Sequence, residues 1–433
     1  MPRGADAGLE RAIGARQLTA SIINSTIGAG IFVLPAVAAA GLGAAAPIAY
    51  VVCAALMALI VCCVAAAGSR VSLTGGIYAY VGVAFGPYVG FLAGVLYFLM
   101  ATFAVASVSS AFAGSTGALW STAASPAGRA ILIAVLFTGL AAINVRGVRP
   151  GIRLVETMAV AKLLPLLVLV GGGIWFVNPG FLHWPGMPSA SAIGQSAIVL
   201  IFAFVGLEIA LVPSGEVRDP ARTVPRALFS ALAITTVLYL LIQCVAQGLL
   251  GPAMASFSNA PLAEAASRVL GQGGRLLVLL GAVVSMFGYV AGDMLGTPRS
   301  LFAFARDGVL PAVVARIHPR FHTPYIAIAI YACLVAALAI SSSFTQLAVL
   351  ANVAALTMYL MCVAASYELQ RRNVRADGGI PFAVPGGPGI PILAAAVILW
   401  LLSSATRREF GVEALVLAVA SMFYLIRRTG GQL

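Results

Sequence analysis

Three ionisable side chains stand inside long apolar runs of this sequence: Lys162, Glu208 and Asp293. Such a group costs roughly 3 kcal/mol at the centre of a bilayer on insertion scales, so each needs a partner or a task. Lys162 is the only lysine in the chain and lies in Ala159-Val160-Ala161-Lys162-Leu163-Leu164-Pro165. A desolvated lysine gains and loses its proton readily, which suits proton coupling; a fixed ammonium tying two helices together is the plainer role. Glu208 closes the stretch Phe202-Ala203-Phe204-Val205-Gly206-Leu207-Glu208. A buried acid must be protonated or hydrogen-bonded, so it reads either as a gate or proton sensor or as a cap on broken backbone. Asp293 lies in Gly288-Tyr289-Val290-Ala291-Gly292-Asp293-Met294-Leu295-Gly296. Three roles are open to it: recognition of a cationic side chain or second amine, a proton site, or an internal salt bridge with Lys162 or an arginine.

The backbone supplies a second kind of chemistry. In Ser25-Thr26-Ile27-Gly28-Ala29-Gly30-Ile31-Phe32-Val33-Leu34-Pro35 two glycines sit two apart within an apolar run. Glycine lowers helix stability by about 1 kcal/mol relative to alanine, so the helix opens easily there. In lipid the freed N–H groups need a partner. A half-helix starting at residues 28–30 would aim its positive end at an anion such as a carboxylate. The Phe202 to Glu208 stretch repeats the design: Gly28 is followed by Pro35 and Gly206 by Pro213, seven residues on in each case. Paired interruptions at corresponding positions of two halves mark the binding site in carriers built from inverted repeats. Close helix packing is the competing use of such glycines.

The elements that must hold these groups are membrane helices. The 433 residues are 61% hydrophobic and 9% charged, against about 25% charged in a soluble domain. Apolar runs long enough to cross a bilayer recur from end to end. Twelve spans are expected, at 16–40, 45–68, 86–117, 128–146, 154–177, 191–213, 226–250, 275–303, 325–341, 345–368, 389–405 and 412–427. The net charge of +12 falls in short loops, which argues for membrane topology and against nucleic acid. Arg146, Arg149 and Arg153, then Arg218, Arg222 and Arg226, then Arg306, Arg316 and Arg320, then Arg371, Arg372 and Arg375 share one face with both termini. The other face has Arg129, Arg268, Arg275, Arg407 and Arg408, so both termini are expected in the cytoplasm. Trp120, Trp175 and Trp184 fall near outer span ends. The N-terminal region reads as a short cytoplasmic segment, 1–15, with no signal peptide. The loop 378–391 divides ten spans from two, giving a first half at 16–177, a second at 191–368 and a final pair at 389–427. The six cysteines lie in apolar runs without disulfide or zinc spacing, and His183, His318 and His322 form no metal motif. Neither a Walker motif nor a nucleophile–base pair points to an ATPase or another enzyme. No cofactor is implied.

Several of these motifs, in this order, resemble the amino acid–polyamine–organocation superfamily of permeases. Ile27-Gly28-Ala29-Gly30-Ile31-Phe32 with Pro35 is similar to its first-helix signature. Gly75-Gly76-Ile77-Tyr78, Ala84-Phe85-Gly86-Pro87 and Asn144-Val145-Arg146-Gly147-Val148 resemble its third- and fifth-helix approaches. Phe204-Val205-Gly206-Leu207-Glu208 with Glu216-Val217-Arg218-Asp219-Pro220, and Pro298-Arg299 with Ala305-Arg306-Asp307-Gly308, resemble its sixth and eighth helices. The resemblance covers about residues 18–393. It implies an all-α integral membrane protein of the leucine-transporter type, five plus five helices in inverted repeat with two C-terminal helices added. It also implies alternating-access transport of amino acids or related amines across the cytoplasmic membrane, by proton symport or exchange. Its substrate-binding residues would be Ile27, Gly28, Ala29 and Gly30 for the carboxylate and Phe202, Ala203, Phe204 and Val205 for the amino group and its aromatic cover. Asp293 would lie by the substrate side chain, and Phe91 and Tyr97 are further pocket aromatics. The Lys162 ammonium would occupy the place of a sodium ion, with Glu208 as its partner in coupling or gating. The expected partners are the amino acid or amine and the lipid bilayer; protons and a second copy of the chain stay open. A polyamine or organic-amine carrier and a non-transporting amino acid sensor on the same fold are the rival readings.

Overall fold

The computed structural model describes residues 13–71, 73, 75–146, 162–184, 186–208, 211, 216–306, 310–375 and 380–429. The segment 1–12, the first part of the expected fifth span (154–161), Pro213, and the loop charges Arg149, Arg153 and Asp307 lie outside them.

The described residues are helical apart from loops and one isolated bridge, between Ile13 and Val217. The helices are α1 (Ala15–Thr26), α2 (Gly30–Leu42), α3 (Ala46–Gly68), α4 (Ile77–Phe85), α5 (Pro87–Gly117), α6 (Ser121–Ala124), α7 (Pro126–Arg146) and α8 (Leu163–Gly173). They continue with α9 (Ala190–Leu200), α10 (Pro220–Leu250), α11 (Pro261–Gly296), α12 (Pro298–Arg306), α13 (Tyr325–Ser341), α14 (Phe344–Arg371), α15 (Gly389–Leu402) and α16 (Arg407–Thr429). Among the described residues, 7 helical stretches are long and apolar enough to cross a membrane, and four shorter apolar ones accompany them. The chain is therefore an integral membrane protein with many spans. The two longest of the seven stretches far exceed one crossing. Gly30–Gly68, 39 residues, would measure about 58 Å as one rod, nearly twice the hydrocarbon core. It turns at Gly43, where φ is 57°. Pro261–Arg306, 46 residues, turns at Gly271, where φ is 59°.

Helix association in lipid depends on close packing of small residues, and the centre of the bundle follows this rule. α5 and α14 lie side by side, with Ala101, Ala104, Ala111 and Ala113 buried on one and Ala348, Ala351, Ala354 and Ala355 on the other. The Ser107 hydroxyl of α5 donates to the Phe344 carbonyl at the start of α14 (2.8 Å). Outward faces carry exposed Ile131 and Val135 on α7 and Leu415, Val419 and Ile426 on α16, as a lipid boundary requires.

Two helices are interrupted near the middle of the bundle. The expected span 16–40 is two pieces: α1 stops at Thr26 and α2 starts at Gly30. The Ser25 hydroxyl bonds back to the carbonyls of Ser21 and Ile22 (3.0 Å each). Such back-bonding competes with the helical ladder at the residue where the helix ends. The expected span 191–213 behaves likewise. α9 tightens into a 3₁₀ turn at Ile201–Ala203 and leaves helical geometry before Glu208, with Gly206 at φ 123°.

Candidate functional site

The two interruptions touch. A Cβ placed on Gly206 would lie 2.6 Å from the Ser25 carbonyl oxygen and 3.3 Å from Thr26 Cα. One placed on Gly30 would lie 3.0 Å from Ala203 Cα. Glycine is needed at position 206 twice over, for its backbone angle and for this approach. The Tyr239 hydroxyl of α10 stands between the two breaks, 2.8 Å from the Ala203 carbonyl oxygen and 3.3 Å from that of Thr26. Its ring packs edge-on against Phe204 at 5.4 Å.

Lys162 serves the first break directly. Its buried ammonium donates to the Ile27 carbonyl (2.8 Å) and to the Asn24 carbonyl. Both carbonyls fall where α1 runs out of helical partners. The Gly28 amide is turned back onto the Thr26 carbonyl (2.9 Å). The amides of Gly30 and Ile31 open α2, and the carbonyls four residues earlier, of Thr26 and Ile27, serve the Gly28 amide, Tyr239 and Lys162 instead. Ile27 and Ala29 are fully buried, and the ring of Tyr289 from α11 lies over Gly28, 3.4 Å from where a Cβ would be.

Glu208 is buried and accepts at both oxygens. The Gly206 amide donates to Oε1 (3.0 Å) and Oε2 (3.1 Å), and the Tyr359 hydroxyl of α14 donates to Oε2 (2.6 Å). The carboxylate thus caps an amide released by the second break, one of the two roles open to it from sequence. Asp293, half-buried on α11, accepts from the Thr297 hydroxyl at Oδ1 (2.7 Å) and from the Tyr331 hydroxyl of α13 at Oδ2 (2.6 Å). The internal salt bridge is not formed: among the described residues no basic side chain pairs with Asp293, and Lys162 is committed to the α1 carbonyls. A tie between two hydroxyls satisfies the acid without the cost of burying a second charge.

The structure therefore brings Ile27, Gly28, Ala29, Gly30, Lys162, Ala203, Phe204 and Glu208 around one crossing, with Asp293 on α11 four residues beyond Tyr289, whose ring covers Gly28, and Tyr97 half-buried on α5. Val205 lies in the same turn, its amide donating to the Ile201 carbonyl (3.1 Å). Phe202 points to the far side of the break and meets Phe344 edge-on at 5.6 Å. Phe91 is packing instead: it stacks on Tyr424 (5.2 Å) and meets Phe304 (5.8 Å). Sequence reasoning missed Tyr239, Tyr289, Tyr331, Tyr359 and Thr297. The available signal was a tyrosine inside an apolar run, since a buried phenol needs a partner. Among the described residues no three His, Cys, Asp or Glu side chains gather as metal ligands.

A helical membrane bundle with interrupted helices crossing at buried charged groups has the architecture of a small-molecule transporter, not of an enzyme. The sequence comparisons agree. The family model described as amino acid permease matches residues 13–420, and the chain belongs to that family, within the amino acid–polyamine–organocation superfamily. It is 28% identical to the methylthioribose transporter of Bacillus subtilis (strain 168), over 96% of this chain and 93% of that one. It is 27% identical to the branched-chain amino acid permease BcaP of the same organism (91% and 88%) and 28% identical to its serine/threonine exchanger SteT (92% of each).

Proposed function

We propose that this permease is a secondary active transporter of amino acids across the cytoplasmic membrane, working by alternating access. The observation that carries the reading is the contact of the two helix breaks, with Lys162 fastened to one and Glu208 capping the other. The opening amides of α2, at Gly30 and Ile31, supply donors for a carboxylate, with Ile27, Gly28 and Ala29 shaping the turn around it. Carbonyls of the second break, at Phe202, Ala203 and Val205, supply acceptors for an ammonium group. The Ala203 carbonyl already accepts from Tyr239, and a carbonyl oxygen has a second lone pair to offer. Phe204, packed edge-on against Tyr239, covers the headgroup, while Phe202 braces the break from behind against Phe344.

The helix bounds support twelve spans. The bends at Gly43 and Gly271 cut the two longest stretches, and α1 with α2 makes one interrupted crossing. The two breaks then fall on the first helix of each five-helix half, at 16–177 and 191–368, with 389–427 as the added pair. Both termini lie in the cytoplasm on this reading, as the arginine distribution requires. Names of the relatives favour small polar substrates: two carry amino acids in their description. Transport is driven by protons or by a counter-moving substrate, with Lys162 and Glu208 as the groups that respond. The test is uptake into proteoliposomes of a panel of labelled amino acids, with an imposed pH gradient and, separately, with unlabelled substrate inside. Gradient-driven accumulation makes it a symporter, and uptake only with preloaded substrate makes it an exchanger. Binding without either would overturn transport in favour of a sensor.

A further inference from the structure

Asp293 differs from Glu208 in what holds it. Glu208 accepts a main-chain amide of the break that it caps, and is buried. Asp293 accepts only two neutral hydroxyls, Thr297 and Tyr331, and stays partly accessible. A carboxylate offers about four lone-pair directions, so two hydroxyls leave half of its capacity unused. No described basic side chain pairs with it: Lys162 is spent on the Asn24 and Ile27 carbonyls, and Arg299, six residues further along the chain, forms no ion pair with it. The protein thus holds a carboxylate in a fixed orientation within the bundle, and among the described residues no basic side chain balances it.

Its position relative to the breaks is also defined. Tyr289, whose ring covers Gly28, lies four residues before Asp293 on the same helix. Four residues rise about 6 Å along a helix, about the length of an extended side chain of three or four methylenes with a terminal nitrogen. A neutral substrate hydroxyl would add a third hydrogen bond and leave the negative charge as it is. An ammonium group would donate and neutralise together, and charge-assisted bonds are the stronger kind.

We propose that Asp293, oriented by Thr297 and Tyr331, is the residue that selects substrates carrying a second, cationic nitrogen, so that the carrier takes diamino acids such as ornithine and lysine. This rests on the headgroup site proposed above. Two ligands isolate the effect: L-ornithine and L-norleucine share a headgroup and a chain length, and differ in a terminal ammonium against a methyl. Putrescine has the ammonium groups without the carboxylate.

The experiment is calorimetric titration of the full chain in lipid nanodiscs with these three compounds. The expected result is ornithine binding at least about tenfold more tightly than norleucine. In Asp293→Asn that ratio falls to near one, with norleucine affinity held within about threefold of wild type. Norleucine binding as tightly as ornithine to the wild-type protein overturns the selectivity and leaves the headgroup reading standing. Putrescine bound in an Asp293-dependent way, with neither amino acid bound, overturns the headgroup reading and keeps Asp293 as a cation site. Binding of none of the three overturns both. The wild-type ratio decides the matter alone if Asp293→Asn does not fold, and Tyr331→Phe then serves as the second variant: it frees one Asp293 oxygen from its tether and lowers the ratio without abolishing norleucine binding.

Discussion

Replacing Lys162 by methionine keeps the four-atom unbranched stem of the side chain and removes the ammonium. In the structure that ammonium serves the carbonyls of Asn24 and Ile27, where α1 ends and neither lipid nor helix can supply a donor. A buried carbonyl left unsatisfied costs about 1–3 kcal/mol. Two of them give about 2–6 kcal/mol, and removal of the buried charge returns part of this as relieved desolvation. The net loss then falls near the low end, about 2 kcal/mol, or roughly a thirtyfold shift between the ordered break and opened forms. With the break as the proposed carboxylate site, this shift should appear as a weaker apparent affinity for amino acid along with a lower melting temperature in detergent. Lys162→Gln keeps an N–H donor for one carbonyl and should fall between wild type and Lys162→Met in both measurements. Thermal unfolding followed by tryptophan fluorescence, with equilibrium binding on the same samples, tests it. If Lys162→Met melts with the wild type and binds substrate as tightly, Lys162 does not hold the break and the account of its two hydrogen bonds is wrong.

Gly206→Ala places a methyl at a backbone angle that L-residues rarely adopt, 2.6 Å from the Ser25 carbonyl oxygen; proteoliposome uptake should drop more than about tenfold, since strain of this kind costs about 1–3 kcal/mol. Tyr239→Phe keeps the ring against Phe204 but removes the donor to the Ala203 carbonyl; the KM for uptake should rise about tenfold, from a loss of about 1–2 kcal/mol, with expression unchanged. Glu208→Gln retains an acceptor for the Gly206 amide, so a capping carboxylate predicts near-normal uptake with an unmoved pH profile, whereas a displaced profile would make Glu208 a coupling group. Phe202→Ala opens the edge-on contact with Phe344 and should raise the KM several-fold while leaving the melting temperature within a few degrees.

Local signals in this chain were legible where they act locally. The Gly-Ala-Gly run behind Asn24, Ser25 and Thr26 marked the first break within a residue or two, because glycine and the back-bonding serine act on their own turn. The second break falls within Phe202 to Glu208 as the sequence indicates, with helical geometry lost after Ala203 and Gly206 at a positive φ. The partners of the charged groups were not legible. Lys162 meets Asn24 across 138 residues, and Glu208 meets Tyr359 across 151. Hydrophobic periodicity cannot supply such pairings when 61% of the residues are apolar, because nearly every helical face then looks buried. Arg129 shows the same gap. It was read as a marker of topology, yet its guanidinium donates to the Ser110 hydroxyl (2.7 Å) and to the carbonyls of Ala339 (3.2 Å) and Ser342 (3.1 Å), joining three helices at one end of the bundle. Of the three roles open to Asp293 from sequence, the internal salt bridge is not formed among the described residues; the structure uses threonine and tyrosine hydroxyls, which satisfy a carboxylate without adding a second desolvated charge. In a chain of this composition the tyrosines inside apolar runs are therefore the residues from which the polar site is best reconstructed: Tyr239, Tyr331 and Tyr359 each donate to a group that a broken helix or a buried acid leaves in need.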